Sequence, residues 1–174
     1  MVEFKAYMFD GKRTASKALD KLEDYAPAYT WIDDVAMVSR SKDGHLRINS
    51  TWGQDERAKS GINWGAIVGG VIGLLFARRK GAMIGSSIGG AVGGFLGWGK
   101  DVALDDPNLD QFASSLSRDT SSLVLVGDEA LMSSFSDAVE PFGGELIETQ
   151  LSDKDVKALK SAMGKSLNSQ KHNL

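Results

Sequence analysis

Apolar positions change period several times along the first fifty residues. "VEFKAYMF" alternates and predicts a strand. Ala15, Ala18, Leu19, Leu22 and Ala26 then recur at helical spacing over "KRTASKALDKLEDYA" and predict an amphipathic helix. Asp33 and Asp34 predict a turn, after which "VAMVSRS" and "HLRINST" read as two strands of a hairpin that reverses at Asp43-Gly44. The pattern returns near the C-terminus. Asp106 as a cap and Pro107 as the first helical residue open a short helix carrying Leu109, Phe112, Ala113 and Leu116. "SLVLVG" predicts a strand, and Leu131, Met132, Phe135, Ala138 and Val139 mark the apolar face of a helix over "DEALMSSFSDAVEPF". "GELIETQLS" predicts a further strand. Ser152 and Asp155 form a capping box for a last helix that buries Val156, Leu159 and Met163.

Each flank thus contains strand, turn, amphipathic helix and strand. The fold expected from this is α+β: a ferredoxin-like split βαβ sandwich interrupted by a glycine-zipper α-helical hairpin. The expected division is residues 1–58 for the N-terminal half, 59–100 for the hairpin, 101–165 for the C-terminal half and 166–174 for a flexible tail.

The interruption is made of different material, with thirteen of the twenty glycines lying between positions 61 and 99. Gly61, Gly65, Gly69 and Gly73 form one fourfold series, and Gly81, Gly85, Gly89, Gly93 and Gly97 form a second. A residue every four stays on one slowly drifting helical stripe, so each run offers a groove into which another helix fits. Each interior glycine costs a water-exposed helix roughly 1 kcal/mol relative to alanine, so the pattern makes sense only where close packing or the absence of water compensates. Residues 62–77 and 81–98 carry no charge, with Arg78, Arg79 and Lys80 between them and Trp64 and Trp98 at the outer ends. As helices they would measure about 24 and 27 Å, at the short edge of a hydrocarbon core of about 30 Å. An antiparallel hairpin sets both indoles at one level, as interfacial anchors, and the three basic residues at the other. The weakly apolar second run implies that its glycine stripe is covered by other helices, first its own partner in the hairpin and then neighbouring copies. The nine glycines are therefore the expected helix-packing residues, and Trp64, Trp98, Arg78, Arg79 and Lys80 the expected membrane-interface residues.

Composition narrows the chemistry. A net charge of −3 gives no nucleic-acid footprint. Cysteine is absent, which removes disulfides and thiolate chemistry, and there are only two histidines, His45 and His172. "GFLGWGKD" approaches a phosphate loop at Gly94, Gly99 and Lys100, but Asp101 stands where a hydroxyl is needed and no strand precedes it. The acidic residues Asp101, Asp105, Asp106 and Asp110 lack the spacing of a calcium-binding hand, and capping and solvation account for them. No catalytic, cofactor-binding or metal-binding residue is assigned, and the chain is expected not to be an enzyme. The N-terminus lacks the apolar core of a secretory signal, which places the α/β halves in the cytoplasm as an expectation.

The succession of "GAIVGGVIGLLF", "GAMIGSSIGGAVGGFLG", "LVLV" and "EALMSSFSDAVEPFGGELIETQLS" resembles the bacterial predicted membrane proteins of a DUF1269-like domain of unknown function, with Pro141, Gly143 and Gly144 among the matching positions. A more distant likeness is to glycine-zipper general stress proteins. The resemblance spans about Phe4 to Leu159 and implies a bacterial membrane-associated protein; it brings no catalytic residues. The expected function is a non-enzymatic, membrane-associated homo-oligomeric scaffold assembled through glycine-zipper hairpins at the bacterial cytoplasmic membrane, with a stress-related role. Its expected partners are its own copies and the bilayer. The alternatives are a soluble self-assembling particle with the hairpins packed inside, or a ligand-sensing regulatory domain.

Overall fold

The fold is given by a computed structural model that describes residues 1–50, 64–77 and 104–161. Strand β1 (Val2–Asp10) leads into helix α1 (Thr14–Leu22), two short 3-10 turns (Ala26–Thr30 and Ile32–Asp34), and the hairpin β2 (Ala36–Arg40) and β3 (Leu46–Ser50). Helix α2 (Trp64–Ala77) and helix α3 (Pro107–Ser115) come next. Then follow β4 (Thr120–Asp128), α4 (Glu129–Val139), a 3-10 turn (Glu140–Phe142), β5 (Glu145–Leu151) and helix α5 over residues 153–161. The chain is thus mixed helix and strand.

The strands form one five-stranded sheet in the order β3-β2-β4-β1-β5. Every neighbouring pair is antiparallel. Strands β1 and β2 both run antiparallel to β4, so the β1-α1-β2 unit joins two parallel strands with β4 in the gap. The β4-α4-β5 unit does the same around β1. The two units interlock, and the central strands are closed on both faces.

Alternation along β1 explains how the faces divide. Phe4, Ala6 and Met8 join one buried cluster, with Val124 and Val126 of β4 and Ala36 and Val38 of β2. Tyr7 and Phe9 join the other, with Leu123 and Leu125 of β4 and the apolar faces of α1 and α4. On that second face Phe135 receives the edges of Tyr7 and Trp31, at ring-centre distances of 5.7 and 5.2 Å. Trp31 is fully buried, and its indole N–H donates to Ser134 Oγ at 3.1 Å, which satisfies the polar end of a large apolar group.

Several details of the sequence reading meet the structure directly. Asp106 Oδ1 accepts from the backbone N–H groups of Asn108 and Leu109, with Pro107 as the first helical residue. Ser152 Oγ accepts from Asp155 N–H at 3.1 Å and donates to the Asp155 carboxylate at 2.9 Å. The hairpin between β2 and β3 reverses through Gly44 at φ +91°. The first helix is shorter than its apolar spacing suggests. It stops at Leu22, and Ala26 falls in a separate 3-10 turn that opens after the extended Tyr25 (φ −92°, ψ 106°), with Pro27 in its first turn. Asp33 and Asp34 lie in the 3-10 turn that ends before β2.

Candidate functional site

Helix α2 carries Gly65, Gly69 and Gly73 of the first glycine run, and every residue from 67 to 76 is buried, Gly69, Gly70 and Gly73 included. A helix apolar around its whole circumference is stable only where all sides are covered. One side lies against β4, β2 and β3, and α2 also touches α3. Many strand residues in its cluster are small or β-branched, among them Ala6, Ala36, Val38 and Val124, beside the larger Phe4, Met8, Leu46 and Leu151. An aromatic chain ties the layer together: Phe112 of α3 meets Phe4 of β1 edge-on at 5.2 Å and Phe76 of α2 at 6.3 Å. Val156 and Leu159 of α5 complete the cluster. The glycine-bearing helix is therefore part of one core with strands from both halves of the chain.

A second feature lies where β1 ends and β4 and β5 begin, a half-open cleft of about 530 Å³. Pairing register places Asp10 opposite Thr120 and Met8 opposite Glu145, so these four side chains leave the sheet on one face. Phe142, Gly143 and Gly144 form the opposite wall. Both glycines have positive φ, +68° and +143°. A Cβ at Gly144 would stand 2.9 Å from the Phe9 ring and 3.0 Å from the Met8 carbonyl, so only glycine lets the chain pass this close to β1. The Thr14 hydroxyl donates to the Asp10 carbonyl, and the Thr120 hydroxyl donates to the Ser117 carbonyl at 2.6 Å.

Elsewhere, charged groups held by local partners include Lys5 and His45. Lys5, on β1, pairs with Glu148 at 3.3 Å and donates to Ser136 Oγ at 3.2 Å. His45 shares a 2.8 Å hydrogen bond with Asp43 in the exposed turn between β2 and β3. The Ser41 hydroxyl, the backbone N–H of Asp43 itself and the His45 ring together lower the Asp43 carboxyl from 3.8 to about 2. Among the described residues no three His, Asp, Glu or Cys side chains converge on a point where a metal ion could sit.

Of the residues singled out from the sequence, Trp64, Gly65, Gly69 and Gly73 lie on α2, and Gly69 and Gly73 are buried. Gly61, Arg78, Arg79, Lys80, Gly81, Gly85, Gly89, Gly93, Gly97 and Trp98 lie outside the described residues. Among the described residues no helix is long and apolar enough to cross a membrane. Sequence reasoning did not find the cleft. Its available signal was "PFGGE", where two adjacent glycines separate an apolar helix from a strand.

Comparison with known proteins returns a family model described as a protein of unknown function (DUF1269), matching residues 62–164. No curated protein and no solved structure matches the chain.

Proposed function

The chain belongs to the DUF1269 family, and from that premise and the packing of α2 we propose that it is a non-enzymatic scaffold that assembles with copies of itself through its glycine-bearing helices. In this reading the α/β part is a ferredoxin-like sandwich, which the strand order β3-β2-β4-β1-β5 and the two interlocked βαβ units support. The carrying observation is that Gly69, Gly70 and Gly73 lie in a stretch of α2, residues 67–76, that is buried throughout. The glycines of α2 thus pack within the chain's own core, and the second run, Gly81 to Gly97, which repeats their spacing, is the one proposed to meet further copies. The proposed partners are further copies of the chain.

The uncharged stretches 62–77 and 81–98, bounded by Trp64 and Trp98, favour a second reading in which the assembly is held in the bacterial cytoplasmic membrane. Helix α2 has 14 residues, about 21 Å at 1.5 Å per residue, and needs further residues to match a hydrocarbon core of about 30 Å.

One experiment separates the two. Cells are lysed without detergent, membranes are sedimented and washed at high pH, and the soluble fraction is sized by light scattering. A large soluble particle supports the scaffold reading, and retention in the washed pellet supports the membrane reading. A soluble monomer sinks both.

A further inference from the structure

Two surfaces of opposite charge occupy different places on the fold. The first is the corner where β2 ends and β3 and β4 begin. Arg40 fixes it: its guanidinium donates to the Gly44 carbonyl at 3.1 Å and to the Leu116 carbonyl at 3.2 Å, which ties the hairpin turn to the turn after α3. Arg118 reaches the same place, with Nε 3.8 Å from where a Gly44 Cβ would stand. Arg118 is exposed, as are Lys42 and Arg47 beside it. Only two carboxylates share the corner, and both are engaged, Asp43 by Ser41 and His45 and Asp119 by the backbone N–H of Lys12. None of the four cations has an ion pair among the described residues. Like charges gathered without counter-charges repel, so an anionic partner relieves them.

The second surface runs from the end of α1 into the turn Ala26–Thr30. Glu23, Asp24, Tyr25 and Tyr29 are exposed there, the two rings to 44% and 64%, whereas Tyr7, Trp31 and Phe135 on the same side of the sheet are buried. Residues 23–30 include no basic group, and the ammonium of Lys21 is turned to the Phe142 ring. The turn is held to α4, since Ser134 Oγ donates to the Pro27 carbonyl at 3.2 Å. Carboxylates beside anchored rings suit guanidinium groups, which pair with the first and stack on the second. A free anion would answer the corner alone; a second copy answers both surfaces, and no ion pair joins them within one chain among the described residues. We propose that the basic corner of one copy docks on the acidic tyrosine surface of the next. This contact rests on the self-association of the scaffold reading but uses none of its glycines. Because two different surfaces meet, every pair leaves one of each unfilled, and the contact extends into a ring or an open filament.

The chain has no cysteine, so an introduced thiol is unique. Ser117→Cys marks the corner and Ala26→Cys the tyrosine surface, both at exposed positions. The two full-length variants, one carrying a size tag, are mixed and treated with a short bismaleimide cross-linker. A mixed dimer is expected in excess of either like pair at about 0.01 M salt, where charges are screened over about 30 Å. Its yield should fall at least about fivefold at about 1 M salt, where screening acts within about 3 Å. Arg47→Gln/Arg118→Gln in the first chain, or Glu23→Gln/Asp24→Asn in the second, should each lower the low-salt yield at least about fivefold. The same arginine changes placed in the second chain should leave it unchanged, because that chain brings only its tyrosine surface to the product. Thermal melts should show every variant folded, since all four side chains are exposed. A monomer by light scattering at both salt concentrations overturns this contact and the scaffold reading together. A salt-insensitive assembly without the mixed product, or equal losses from the arginine changes in either chain, overturns this contact alone. So does a corner that gives no mixed product but binds phosphatidylglycerol vesicles through Arg47 and Arg118, which assigns it to a lipid surface.

Discussion

The two faces of the sheet are covered by helices of opposite character. Helices α1 and α4 lie on one face, each presenting a single apolar stripe and a polar back, and their buried polar atoms are individually satisfied, as at Trp31 and Ser134. On the other face lies α2, which has no polar back, together with the short helices α3 and α5. The first face is held by side chains that interlock, with Phe135 receiving Tyr7 and Trp31. The second combines an aromatic clasp at Phe112 with a helix whose glycines permit close approach. An amphipathic helix specifies which side faces the sheet, whereas an all-apolar helix specifies only that it be covered. The sandwich thus pairs a face of fixed orientation with one whose helix could be covered equally well by other apolar partners.

Core truncation is the strongest way to break this comparison. Phe112→Ala and Phe135→Ala should each cost about 3–5 kcal/mol in urea unfolding, since both rings are fully buried among aromatic neighbours. If Phe112→Ala costs less than about 1 kcal/mol, the α2 face lies outside the cooperative unit. Next in size, Gly69→Leu should destabilise the chain by about 1–3 kcal/mol through overpacking, and should change the assembled mass seen by light scattering. Retention of both parent stability and parent mass would remove α2 from the packing argument.

A neighbouring pair of serines sharpens the contrast across the sheet. Ser121 faces α1, accepts from Ala15 N–H at 3.0 Å and donates to the Gly11 carbonyl at 2.7 Å. Ser122, equally buried, faces the other way and makes only a 3.5 Å contact with the Leu123 carbonyl. Ser121→Ala should cost about 1–3 kcal/mol and Ser122→Ala under about 1 kcal/mol in the same unfolding assay. Equal costs would contradict the assignment of a satisfied polar joint to one face alone. The helix caps follow. Asp106→Ala, which loses two backbone donors and the Thr149 hydroxyl, should cost about 2 kcal/mol, and Asp128→Ala, which loses one donor, about 1 kcal/mol.

The smallest effect is at the hairpin turn. Asp43 should titrate at about 2 by carbon NMR, against 3.8 for an unperturbed carboxyl. Because its folded value is lowered, its contribution to stability is present above 3.8 and fades as pH falls through about 2. A midpoint near 3.8 would show that the turn does not form as described.

Most strands and amphipathic helices were legible in the sequence because their periods differ and their ends carry chemistry. Asp106-Pro107, Ser152 with Asp155, and Asp43-Gly44 each fix a boundary through a specific hydrogen bond or dihedral angle. The end of α1 was misread because apolar spacing continues to Ala26 while the backbone turns extended at Tyr25, a change that leaves that spacing unmarked. The berth of α2 on the sheet was not legible for a physical reason. Residues 67 to 76 have no polar side to mark which direction is out, so the same string reads alike for lipid and for a protein interior. The cleft was hidden because Asp10, Thr120 and Glu145 are separated along the chain and meet only through pairing register, while Ser115 joins them from the end of α3.

The interlocked order of the strands also bears on how the chain is made. The slot between β1 and β2 belongs to β4, and between Arg40 and Thr120 the chain runs through β3 and the whole glycine-rich stretch. During synthesis, β1 and β2 leave the ribosome with their inner edges unpaired and wait for a distant segment to close a large loop. Helix α2 emerges in that interval, before the sheet it rests on is complete. Its apolar surface is therefore exposed while the sheet is still open, a window in which a neighbouring nascent chain competes directly with the chain's own sheet.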